Sequence, residues 1–154
     1  EEIGERVLKA VPERDLPQSK DEFWQSLWDY RQREFDFFAT HIRLGRILIM
    51  SLDVPDFDIK DINNLCAPLT KLLHRQINLI KRGQELGAVR NDLCVDLIFN
   101  LMRAVDKSLC VKFFGREAED ILKLSESERR ESSKNYTRLF KDLIRRMLEP
   151  NYNL

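Results

Sequence analysis

Apolar positions recur along this chain at spacings of three and four, the period of helices with one buried face. Ile3, Val7, Leu8 and Val11 form one side of a short helix over residues 1–11, which Pro12 closes because it cannot continue the backbone ladder. Beyond a connector containing Pro17, Ser19 and Glu22 have the spacing of a capping box and open a second helix. That helix carries Phe23, Trp24, Leu27, Trp28, Phe35, Phe37 and Phe38, and is expected to break near Thr40. A shorter helix is expected over 41–52, on Leu44, Ile47, Leu48 and Met50, followed by a loop over 53–58 that contains Pro55.

A long helix is expected over about 60–86, where Leu65, Leu69, Leu72, Leu73, Ile77 and Ile80 keep helical spacing. Pro68 marks either a kink in it or a later start. Gly87 stops this helix, since glycine enters the left-handed region without a Cβ penalty. Residues 88–91 form a short link, and Asp92 is placed to cap the next helix. The next helix has two apolar tracks, one of Ile98, Met102, Val105, Leu109 and Phe113, the other of Leu97, Leu101, Ala104 and Val111. A helix apolar on two sides is covered on two sides, and in so small a chain a second subunit can supply one cover. Gly115 ends it. The charged run SESERRESSK, 125–134, reads as a solvated loop. A last helix over about 133–149 sets Tyr136, Leu139, Phe140, Leu143, Ile144, Met147 and Leu148 on one face, before Pro150. The expected fold is an all-α bundle of about six helices in one domain, 1–154.

Composition narrows the function. With 26 basic and 26 acidic side chains the formal charge is zero, which gives no hint of a domain that holds nucleic acid by itself. Cys66, Cys94 and Cys110 have no metal-ligand spacing and read as small, buried, reduced thiols in a cytoplasmic protein. No apolar run approaches the roughly 20 residues of a membrane span, and Glu1 and Glu2 carry the wrong charge for a signal peptide. There is no Gly-rich phosphate loop, GxSxG or HExxH, so an enzyme is not expected. His41 and His74 lack ligand spacing, and neither metal nor cofactor is expected.

Candidate chemistry centres on the aromatic helix. Trp24, Trp28, Arg31, Phe35, Phe38 and His41 share one stripe or its edge. They serve either as core, with Arg31 bent out to solvent, or as the wall of a largely apolar pocket in which Arg31 grips a ligand carboxylate. Phe99, Met102 and Arg103 extend the candidate pocket from the later helix. Arg103 with Asp106 forms either part of that wall or an exposed ion pair, and the exposed pair is favoured.

The stretch IKRGQELGAVRNDL, 80–93, resembles the join between the seventh and eighth helices of tetracycline-repressor-like (TetR) transcription regulators. Arg82, Gly83, Gln84, Glu85, Gly87, Arg90 and Asp92 carry the resemblance. Residues 41–52 look like that family's short sixth helix, and 1–11 like the fourth helix that connects to its DNA-reading domain. The family's N-terminal helix-turn-helix is missing from this sequence, as the abrupt helical start also suggests. The resemblance implies an effector-binding and dimerisation domain: a small effector, a homodimer, no membrane, and DNA contact only through the missing reader. It implies a dimer four-helix bundle made from the last two helices, with Leu97, Leu101, Tyr136, Phe140, Leu143, Ile144 and Met147 at the interface, and a pendulum-like movement of 1–11 on binding. The alternative is a helical protein-interaction module with no small-molecule ligand.

Overall fold

The computed structural model describes residues 2–11, 15–41, 67–114 and 123–150, in which no strand occurs. The helices are α1 (Glu2–Ala10), α2 (Lys20–Thr40), α3 (Ala67–Glu85), α4 (Val95–Phe114) and α5 (Glu126–Leu148). The chain is therefore an all-α bundle. The expected helix beyond His41, the loop over 53–58 and the stop at Gly115 lie outside the described residues, as do Cys66 and the side chains of Phe38, Cys110, Val111 and Phe113.

α5 packs against α4 on one side and α2 on the other, α3 closes the bundle against α4 and α2, and α1 lies across α2 and α3. The α4–α5 pair is antiparallel. Arg90 N donates to Leu148 O at 2.7 Å at one end, and the Tyr136 hydroxyl donates to Asp106 further along. One continuous core joins Phe23, Trp24, Ile80, Ile98, Phe140 and Ile144 from four helices. Val11 and Leu72 make a small second cluster under α1.

The join between α3 and α4 explains its own sequence. Arg82 Nε donates to Pro17 O at 2.8 Å and its Nη2 to Gln18 Oε1 at 3.2 Å, pinning the connector ahead of α2. Glu85 holds the same guanidinium at 2.9 Å. Gly83 is where α2 meets α3: an added Cβ would lie 2.5 Å from Phe23 Cε2 and 2.8 Å from Val89 Cγ2. The Gln84 amide donates to the carbonyls of Arg90 and Leu93, at 3.1 and 2.8 Å, and closes the link. Gly87 has φ +66°, the left-handed conformation expected of it.

Two sequence expectations need correction. Asp92 does not cap α4. Its carboxylate is taken by Arg90, with Nε to Oδ1 at 2.6 Å, and the first turn instead uses Cys94 O, which accepts from Ile98 N at 3.1 Å. Nor is the charged run after Ser125 a loop. Ser125 Oγ accepts from Glu128 N at 3.2 Å while Ser125 N donates to Glu128 Oε2 at 2.7 Å, a capping box that starts α5 at Glu126. The box was present in the sequence, but the density of charge concealed it. A solvated helix face has the same composition as a solvated loop.

Candidate functional site

Among the described residues, three features carry chemistry or exposed apolar surface: an ionic cluster around a buried arginine, a polar cleft, and exposed leucines on α4 and α5.

The aromatic stripe of α2 faces inward. Trp24 and Trp28 stack with centroids 5.2 Å apart, Trp28 meets the edge of Phe140 at 6.4 Å, and Phe35 lies on Tyr136. Arg31 comes from the same face and is not bent out to solvent. It is 4% exposed, with its guanidinium 5.1 Å from the centre of the Phe140 ring. Nη1 meets Glu34 Oε2 at 2.9 Å and Asp106 Oδ2 at 3.0 Å, so two carboxylates take up its charge. Asp106 also accepts the Tyr136 hydroxyl bond. Asp106 is thus turned inward, and the expected exposed pair with Arg103 gives way to a buried one with Arg31. Arg103 lies over Phe99 at 5.9 Å and adds an attractive charge near Asp106. Arg31 Nε is buried with no hydrogen-bond partner among the described residues.

Electrostatics in this cluster are set by burial. Burial raises the Glu34 carboxyl above its ordinary value, Arg31 opposes that, and Asp106 adds to it. Burial likewise raises Asp106, against Arg31 and the Tyr136 bond. For Arg31, burial works against the charge, but Asp106 and Glu34 outweigh it and the guanidinium stays protonated. One buried cation faces two half-buried carboxylates, and both are held above their ordinary values by burial.

The other candidate side chains divide by environment. Phe99 and Met102 are buried in the main core. His41 is exposed, its ring stacked on Phe37 at 4.5 Å with Nδ1 3.1 Å from Phe37 O. Among the expected interface residues, Tyr136, Phe140 and Ile144 have no exposure at all. They face α2 and α4 within the chain, so a second copy cannot touch them directly. Leu97 and Leu143 are 45% and 42% exposed, and Leu101 and Met147 are half-buried. Leu97 lies at the start of α4 and Leu143 in the last turns of α5. Cys94, expected to be buried, is an exposed thiol at the same end of α4.

Sequence reasoning missed the cleft. It lies between α2, α3 and the segment joining α1 to α2, and encloses about 210 Å³. Its polar wall is Asp15, Asp29, Tyr30, Arg33, Arg75 and Asn78, and Val11, Leu16, Pro17 and Leu79 supply apolar contact. None of the aromatic-stripe residues lines it. The signal was present as two sets of polar residues at helical spacing, Ser26–Asp29–Tyr30–Arg33 on α2 and Arg75–Asn78 on α3. Nothing in one helix's sequence tells which stripe of another it will face. Arg75 Nη1 donates to Val11 O at 3.0 Å and ties the end of α1 to α3 beside the cleft.

Among the described residues no group of three or more His, Cys, Asp or Glu is arranged to hold a metal ion, and no helix is long and apolar enough to cross a membrane. Comparison with protein-family models, with curated proteins and with solved structures finds no match for this chain.

Proposed function

We propose that this chain is a non-catalytic regulatory domain, similar to the effector-binding part of TetR-like regulators, which forms a homodimer and transmits binding of a small effector through α1 to an attached DNA reader. The observation that carries this reading is the exposed leucine on the antiparallel α4–α5 pair, Leu97 on α4 at 45% and Leu143 on α5 at 42%. A helix pair that leaves leucines in water gains by covering them, at roughly 25 cal/mol per Å² of apolar surface. A second copy presents the same leucines, and a two-fold axis between them gives an isologous contact. The cleft supports the sensing half, because it borders the end of α1. A ligand there changes the position of α1 only by binding one arrangement better than another.

Sedimentation equilibrium tests the dimer. The wild-type chain is expected to be dimeric, and Leu97→Glu combined with Leu143→Glu monomeric. A monomeric wild type removes the homodimer and favours the second reading, a module whose exposed leucines meet a different protein. A double variant that stays dimeric places the interface elsewhere.

A further inference from the structure

The chemistry of the cleft differs from that of the apolar pocket which the aromatic helix suggested. Two guanidiniums, Arg33 and Arg75, face a space that also receives two carboxylates, Asp15 and Asp29. The formal charges of these four cancel. Arg33 is half-buried and Asp15 exposed, and neither makes an ion pair or hydrogen bond with a described residue. Tyr30 completes the polar set. Its hydroxyl oxygen accepts from Gln76 Nε2 at 3.1 Å, which leaves its own proton to donate, with no acceptor among the described residues. Burial and the neighbouring Glu34 raise this phenol above its usual value, so the proton stays in place.

We propose that this cleft binds a small zwitterion, an α-amino acid or a compound of like size and charge pattern. Arg33 and the Tyr30 hydroxyl hold its carboxylate, Asp15 and Asp29 hold its ammonium group, and the apolar wall receives a short side chain. A guanidinium presents a planar fork that matches a carboxylate in two bonds. A simple anion would meet Arg33 favourably but would be repelled by Asp15 and Asp29, and a simple cation would meet the reverse. Only a ligand with both signs satisfies both sets of groups. The volume, about 210 Å³, lies below the roughly 300–1,000 Å³ of drug-sized sites and selects for a small molecule. Leu16, 49% exposed at the mouth, is placed to cover the ligand's apolar part. Binding itself rests on the cleft alone. Its consequence, a shift of α1 through Val11 and Arg75, rests on the regulatory reading above.

The test uses the whole chain and the common amino acids as probes, in thermal-shift and calorimetric titrations at millimolar concentration. At least one is expected to raise the melting temperature, by an amount that grows with the logarithm of its concentration once that exceeds Kd. Its N-acetyl derivative, which lacks the ammonium, and its methyl ester, which lacks the carboxylate, are each expected to lose that binding. Arg33→Met should weaken binding about tenfold or more, the loss expected for one charge-assisted pair. Asp15→Asn, on an exposed connector where folding is not at stake, should reduce the preference for the amino acid over its N-acetyl form, with Asp29 keeping the remainder. The proposal is overturned if no amino acid binds, if the derivatives bind equally well, or if the Asp15 variant keeps full discrimination. Binding by a chain that remains monomeric leaves the cleft assignment standing and removes the homodimeric sensor. A dimer that binds no zwitterion does the opposite.

Discussion

Arg31 shows how a single buried charge organises its surroundings. Its guanidinium is held by Glu34 from its own helix and by Asp106 from α4, and Tyr136 of α5 donates to Asp106. Breaking such a cluster is costly because the remaining charges stay buried. Arg31→Met is expected to destabilise the fold by about 3–5 kcal/mol, read from urea unfolding. A loss below about 1 kcal/mol, the size of an exposed pair, would contradict the buried role. The carboxylates predict a pH dependence. Their folded values lie above the ordinary ones of 4.5 for Glu34 and 3.8 for Asp106, so the folded chain binds more protons than the unfolded chain between the two. Their contribution to stability is fully present below the ordinary values and is lost as pH rises through the raised ones. Glu34→Gln removes one of these titrations. The fall in urea midpoint with rising pH should become shallower in that variant, and an unchanged slope would exclude Glu34 as its source.

At the scale of elements, the α3–α4 join is the most tightly specified stretch. Gly83 and Gly87 serve different purposes, and the same substitution separates them. Gly83→Ala puts a methyl group into the Phe23 ring and Val89, and overpacking of this kind costs about 1–3 kcal/mol. Gly87→Ala meets nothing closer than the end of Lys20, at 3.6 Å, but must keep φ at +66°. That costs about 1–2 kcal/mol through the backbone alone. Restoring space by Phe23→Leu in the same chain should recover part of the Gly83→Ala loss and none of the Gly87→Ala loss, measured as unfolding free energies. Equal recovery at both sites would mean that the two strains are not distinct.

For the whole molecule, the division between inner and outer faces of α5 decides what assembly is open to it. Tyr136, Phe140 and Ile144 fill the bundle, and Leu143 stands outside it. Substitutions at Leu97 and Leu143 should therefore leave the monomer's fold intact, within about 0.5 kcal/mol for surface positions, while changing association. Circular dichroism of the double variant should match that of the wild type, even where sedimentation gives half the mass. A Phe140 substitution, by contrast, should lower stability as well, by about 3–5 kcal/mol for truncation to alanine. The two outcomes together distinguish an interface residue from a core residue that lies one turn away.

The sequence alone determined the all-α class, the helical character of the described elements other than the charged first turns of α5, and the turn at Gly87. These follow from local physics: helical period, capping side chains and the freedom of glycine at positive φ. It also placed the aromatic stripe of α2 on one face. Tertiary structure decided what each face meets. Arg31 became a buried pivot because Asp106 arrives from α4, 75 positions further along the chain. The apolar face of α5 turned to α2 and α4, and the polar stripes of α2 and α3 came together around a cleft. A period fixes which residues share a face, but partners distant in sequence determine whether that face meets protein, water or a ligand.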